Sequence, residues 1–265
     1  MYQRDFDFSD DINSYKLSVV LIADSFFYGI FDHNNQLICH QTYTNLKYSQ
    51  PHTLGDLVAD QRLKRAYQHI VVVVLSGEMY TVDQIDVVLE NTLPGLELKK
   101  PFSEKIPGQN LYNLYGITHQ QSHTLDELFG HHRIKMISFP SLLAMYYLGQ
   151  PQAMMHIHLE ENTTYIYTQN DTKLLMYNSF ETKNMQDILY FSLAVANESQ
   201  LDVTLEPVIM SGWVESDSTL YKNLNSYFGK FGHIQDPTFF IHPSVTIGTK
   251  PHFYFVHFLN AICAS

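Results

Sequence analysis

Cysteine is nearly absent from this 265-residue chain: Cys39 and Cys263 are the only two, and no CxxC spacing links them. That leaves neither a disulfide framework nor a paired-thiol motif. Two buried, reduced thiols are expected instead, as in a cytoplasmic protein. Charge is scarce at 16%, and basic charge scarcer: 16 Lys and Arg stand against 27 Asp and Glu, for a net charge of −11. A chain of that sign offers no footprint for a phosphate backbone, so nucleic acid is not an expected partner. Long apolar runs are also missing. The longest, Ile70–Leu75, has the length of a strand, far short of the ~18 residues of a membrane span. The start, MYQRDFDFSDD, is acidic and lacks the basic and apolar regions of a signal peptide. A cytoplasmic protein that does not span a membrane is expected. No GxSxG, P-loop, GxGxxG or HExxH occurs, which removes the local signatures of a nucleophile elbow, phosphate loop or zinc protease.

Apolar residues, by contrast, reach 45% and aromatic ones 14%, enough to bury the core of one large domain or two ordinary ones. The periodicity predicts strands at Lys16–Ala23, Phe26–Asp32 and Leu37–Thr44, joined by turn-forming Asp24-Ser25 and His33-Asn34-Asn35. A helix is predicted over Thr53–Ala66, opened by Thr53 and Asp56, and then Ile70–Leu75 as a β-branched strand covered on both faces. The second half repeats the order. Strands are predicted at Ala153–Glu160, Thr164–Thr168 and Leu174–Phe180, a helix at Asn184–Asn197 capped by Asn184, and a strand at Pro207–Met210. A further helix is predicted from Asp217 to Phe228, with Gly229 after it. Leu37 and Leu174, 137 positions apart, both open a third strand, and Ser76-Gly77 corresponds to Ser211-Gly212 at a spacing of 135. Residue identity between the halves is almost nil, so the repeat lies in the order of elements. A strand Ile134–Ser138 and a helix Ser141–Leu148 precede a boundary near Gly149-Gln150-Pro151, giving lobes of residues 1–150 and 151–265. Pro94–Asn110, rich in Pro, Gly and Lys, reads as a long exposed loop.

Tandem βββαβα units joined by a crossing helix resemble the actin-like ATPase superfamily, which includes actin, sugar kinases and heat-shock chaperones. The resemblance is strongest to the small bacterial pilus-assembly type and to an uncharacterised bacterial family described as actin-like. It implies a duplicated α/β, ribonuclease H-like fold with two lobes and mixed five-stranded sheets. It also implies ATP between the lobes, held by an acid-x-Gly turn in each first hairpin and by a Gly-Gly pair near the end. Glycine is needed there because a side chain blocks the approach of backbone to phosphate. This sequence departs at each place. Asp24-Ser25-Phe26 puts Phe26 where glycine belongs, and His158-Leu159-Glu160 loses the acid. Glu160-Glu161 sets two charges where phosphate would lie, and Ser211-Gly212-Trp213 fills one glycine site with the only Trp. The expectation is a chain with no catalytic residues and no cofactor. The alternative is a nucleotide-binding switch with altered cleft chemistry.

His156-x-His158-x-Glu160 sets two imidazoles and a carboxylate on one strand face. No second cluster at ligand spacing completes a site, so no metal is expected and packed or hydrogen-bonded histidines are. His131-His132 reads as a turn or surface pair, and Tyr146-Tyr147 as helix packing. What remains is a protein partner, with no particular oligomeric state implied. Interfaces favour aromatic anchors over charges, and Phe102, Trp213, Phe239 and Phe240 lie in expected loops.

Overall fold

The structure, a computed structural model, describes residues 15–75, 79–83, 99–130, 134–150, 152–236, 238–242, 245 and 250–263. Lys16–Leu21 (β1), Phe26–Phe31 (β2) and Gln36–Tyr43 (β3) form the antiparallel meander that their β-branched and aromatic residues favour. After a short helix, Gly55–Ala59 (α1), His69–Val74 (β4) pairs in parallel with β1. Its residues face the core alternately on both sides: Ile70, Val72 and Val74 pack with Leu57 and Leu125, while Val71 and Val73 pack with Phe258. Met79–Val82 (β5), Lys99–Lys105 (β6) and Tyr112–Thr118 (β7) make a separate sheet in the order β5-β7-β6. His119–Phe129 (α2), Ile134–Ser138 (β8) and Phe139–Tyr147 (α3) complete this half.

The second half builds the same plan from Met154–Glu160 (β9), Thr163–Asn170 (β10), Lys173–Glu181 (β11), Met185–Glu198 (α4) and Pro207–Gly212 (β12). Thr219–Asn225 (α5) and Lys230–His233 (β13) follow. The first sheet runs β3-β2-β1-β4-β8 and the second β11-β10-β9-β12-β13, with corresponding strands in corresponding places. Phe240–Ile241 (β14) then returns to the first sheet, pairing in parallel with β3. Phe255–Cys263 (α6) packs on β1, β2, β4 and α3. Inside that contact Asn260 donates from Nδ2 to Ser18 Oγ at 2.8 Å and to the Val71 carbonyl at 2.9 Å. The inner faces of both sheets thus share one core with α3 and α6 between them, while each outer face carries its own helices.

The long helix expected over 53–66 is a 3-10 turn, Pro51–Leu54, followed by α1 alone. Thr53 does not cap it; its hydroxyl donates toward the carbonyls of Lys47 and Gln50 and accepts from Lys47 N–H. Asp60 leaves helical geometry at ψ 110° because its carboxylate is taken by a buried cluster. It accepts from Tyr28 Oη at 2.6 Å, Tyr43 Oη at 2.8 Å, and Arg62 Nε and Nη2 at 2.9 Å each. The expected helix 141–148 begins at Phe139, since Pro140 is tolerated in a first turn, and the one expected over 217–228 shortens to α5. The described part of the expected loop 94–110 contains a strand. Pro101 is accommodated because β6 is an edge.

Candidate functional site

The tips of the two first hairpins meet. Ser25, between β1 and β2, is fully buried, and its hydroxyl lies 3.1 Å from both Asp24 Oδ1 and Glu161 Oε1 of the β9–β10 turn. Glu161 holds φ at 50°, a left-handed conformation that favours glycine. Beside this junction opens a cavity of about 710 Å³ lined by both halves: Phe27 and Thr42 from the first, and Leu159, Glu160, Glu161, the start of α4, Trp213 and α5 from the second. Among the described residues lining it, Lys183 is the one basic side chain, 3.5 Å from Glu181. Trp213 is 49% exposed, its ring stacked on Phe253 at 5.1 Å.

Alternation along β9 sends Met155, Ile157 and Leu159 to the outer core and His156, His158 and Glu160 inward. There a chain of hydrogen bonds links α3, β9 and β12. Tyr147 Oη is 2.6 Å from His156 Nδ1, His156 Nε2 is 2.7 Å from Ser211 Oγ, and Ser211 Oγ is 2.8 Å from His158 Nδ1. His158 Nε2 has no hydrogen-bond partner and stands 3.7 Å from Glu160 Oε2. Burial holds both imidazoles neutral, taking His158 down to about 3 and His156 well below its ordinary value. Tyr147 donates its proton to His156 Nδ1, so neutral His156 carries its own on Nε2 and donates it to Ser211 Oγ. The Ser211 oxygen can then donate to His158 Nδ1 or accept from it. Burial, then Glu161, pushes Glu160 up to about 8, against the hydrogen bond from the Trp213 side chain.

The sequence-predicted residues divide. Asp24, Ser25, Glu160, Glu161 and Trp213 gather at or beside the junction. Phe26 does not: it is in the first half's outer core, and strand alternation gives the cleft position to Phe27. His158 and Ser211 lie one layer below, in the relay. Gly212 has φ 90°, and a Cβ there would sit 1.9 Å from the Leu159 carbonyl oxygen. Tyr146 and Tyr147 do more than pack, since Tyr146 Oη also donates to Asp236 at 2.8 Å. Of the loop aromatics, Phe102 belongs to β6 and stacks on Tyr115, and Phe239 is core, parallel to Phe258 at 4.7 Å. Phe240 alone of that pair is exposed, at 55%. Ser76, Gly77, His131 and His132 lie outside the described residues. Phe239→Ala is expected to cost about 3–5 kcal/mol, a fall of ten degrees or so in Tm, while Phe240→Ala leaves the thermal melt in place.

Two groups escaped sequence reasoning, Asp60 and Glu104. Glu104, half-buried on β6, accepts from the backbone N–H and hydroxyl of Ser138 and so caps α3 from another sheet. No short-range pattern announces a pairing 34 residues apart.

A family described as protein of unknown function (DUF3822) matches residues 5–231. The chain belongs to the DUF3822 family. No curated protein matches it. Among solved structures, this DUF3822 chain is similar to a Bacteroides thetaiotaomicron protein with actin-like ATPase fold and unknown function, at 17% identity and TM-score 0.68, covering 86% of this chain and 93% of that one. It is also similar to a chain of the PilM-PilN type IV pilus biogenesis complex, at 11% identity and TM-score 0.58, covering 93% and 96%. The ethanolamine utilization protein EutJ from Carboxydothermus hydrogenoformans matches at 10% identity and TM-score 0.50, covering 94% and 89%. The DUF3822 chain therefore has the actin-like ATPase fold, in agreement with the order of its strands. No helix among its described residues is long and apolar enough to cross a membrane.

Proposed function

We propose that this chain is a non-catalytic member of the actin-like fold, a scaffold that binds another protein and does not hydrolyse ATP. The observation that carries the reading is the direct contact between hairpins, Ser25 to Glu161, with Asp24 beside it. A phosphate entering there meets the Asp24 and Glu161 carboxylates instead of backbone amides. At 4 Å, two like charges near a protein surface repel by about 4 kcal/mol. In this reading the lobes are residues 1–150 and 151–265, with β14 and α6 tying the second back to the first. The PilM relative is seen in complex with PilN, which supports a protein partner; exposed Trp213 and Phe240 are the anchors we assign to it. The cleft's volume favours a second reading, a nucleotide-binding switch, since it falls in the range of small-ligand sites. Calorimetry with ATP and GTP, with and without magnesium, separates the two. The scaffold reading expects no magnesium-dependent heat and no change in Tm. A micromolar nucleotide would add about 2.7 kcal/mol at 100 times its Kd, a rise of several degrees, and would overturn it.

A further inference from the structure

We propose that the cleft is a binding site for an organic cation, an ammonium or guanidinium group on an apolar stem, received by Glu160 and Glu161 against the Trp213 ring. The proposal rests on the non-nucleotide reading of the same cleft. Its lining joins apolar Phe27, Leu159 and Ile188 to the acidic pair Glu160 and Glu161. Trp213 offers a half-exposed indole at the rim, the aromatic surface that best attracts a cation.

The second observation lies beneath. Glu160 is 93% buried, and behind it His158 Nε2, on a ring 1% exposed and with no hydrogen-bond partner, stands 3.7 Å from Glu160 Oε2. A buried polar atom left unsatisfied is expensive, and this nitrogen is left so while the Glu160 carboxyl stands off at 3.7 Å. A cation in the cleft stabilises the Glu160 anion, which can then close on His158 Nε2 and accept the proton of the tautomer that carries it there. The relay from Tyr147 is completed by the ligand's charge, which explains an orphan that packing alone does not.

The groups facing Glu160 are Glu161 in its turn, His158 on its strand, Tyr165 on β10, the Trp213 indole, and His40 and His257 across a small void. Burial keeps the histidines neutral, with His40 at about 4, His158 at about 3 and His257 well below its ordinary value. Burial likewise pushes Tyr165 above its ordinary range. A proton released near pH 7 on binding therefore comes from Glu160.

Trp213, the chain's only tryptophan, reports the site directly. Hexylammonium, agmatine and a capped arginine peptide are titrated against its fluorescence, with hexanol, magnesium chloride and MgATP as separate arms. Saturable binding of a cationic probe is expected, with hexanol silent and the Kd raised at least tenfold in Glu161→Gln. Calorimetry at pH 7 in phosphate and in Tris, which differ in protonation enthalpy, is expected to show proton release that Glu160→Gln abolishes. Response to the amines identifies a free small molecule as sufficient; response to the peptide alone assigns the cation to a partner's side chain. Equal responses to hexylammonium and hexanol, an unchanged Kd in both Gln variants, or saturation by magnesium alone overturns the proposal. Silence in every arm defeats the cation site and leaves the scaffold reading standing, whereas saturation by MgATP defeats that reading itself.

Discussion

Gly212→Ala is expected to destabilise the protein by at least about 3 kcal/mol, a fall in Tm of roughly 6–12 °C. Two penalties coincide at this residue. Its φ of 90° is a conformation that L side chains rarely adopt, and the new Cβ would lie 1.9 Å from the backbone oxygen of Leu159. That oxygen cannot swing aside like the end of a side chain, because it accepts the Trp213 N–H at 3.1 Å and belongs to the neighbouring strand β9. Gly149→Ala is the control: nothing lies within 4 Å of its Cβ position, and its melt should match the parent's. Differential scanning calorimetry on both variants decides the matter. An Ala at 212 that melts with the parent would mean β9 and β12 are not closed on one another there. The crossing of two strand ends is by itself enough to demand glycine here.

Asp60→Ala is expected to cost about 3–5 kcal/mol, because it strands partners without removing them. Tyr28, fully buried, loses its acceptor, Tyr43 loses the same one, and the Arg62 guanidinium loses its two hydrogen bonds to the Asp60 carboxylate. Exposed Asp56→Ala should move stability by no more than about 0.5 kcal/mol. The loss at Asp60 should also depend on pH. Burial pushes the Asp60 carboxyl up, but hydrogen bonds from Arg62, Tyr28 and Tyr43 together outweigh it and hold the group below its usual range. A carboxyl whose pKa is lower in the folded state stabilises the protein above its unfolded value, about 3.9, and that stabilisation is lost as pH falls through the folded value. Denaturant melts of the parent and D60A should therefore differ most near neutrality and draw together below about pH 4. A gap constant from pH 7 to pH 3 would mean that packing, not the charge, sets the cost.

The same two places show where reading the chain succeeds and where it stops. β4 is legible because six consecutive apolar residues have to be covered on both faces, and the second meander because its turns are spaced like the first's. Asn184 announces α4 through a local contact, its side chain accepting from Asp187 N–H. α2 carried an equally local signal, the Thr118–Gln121 capping box, but buried Gln121, Ser122 and Thr124 blur its apolar stripe. α6 lies between the sheets and is buried from Phe255 through Ala261, polar His257 and Asn260 included, so its polar letters do not mark a solvent face. At the cleft, residue types identified the turns, but which of Phe26 and Phe27 faces inward depends on strand phase. The relay lay further out of reach. His156, His158 and Ser211 are visible as letters, while their joint contact comes from β9 and β12 pairing 53–55 residues apart.

The return of α6 to the first sheet has a consequence for biosynthesis. Ser18 and Val71 wait for Asn260 across sequence separations of 242 and 189 residues. At ribosomal speeds of about 5–20 residues per second, the later of these leaves roughly 10–40 s between the emergence of β4 and that of its cover. During that interval Val20, Phe27, Val71 and Val73 lack α6, and of the two helices in their core only α3 has been made. The second half of the chain is thus made while the first still shows an open apolar surface. A nascent chain stalled before residue 240 should bind hydrophobic-surface dyes and holdase chaperones that the released protein ignores.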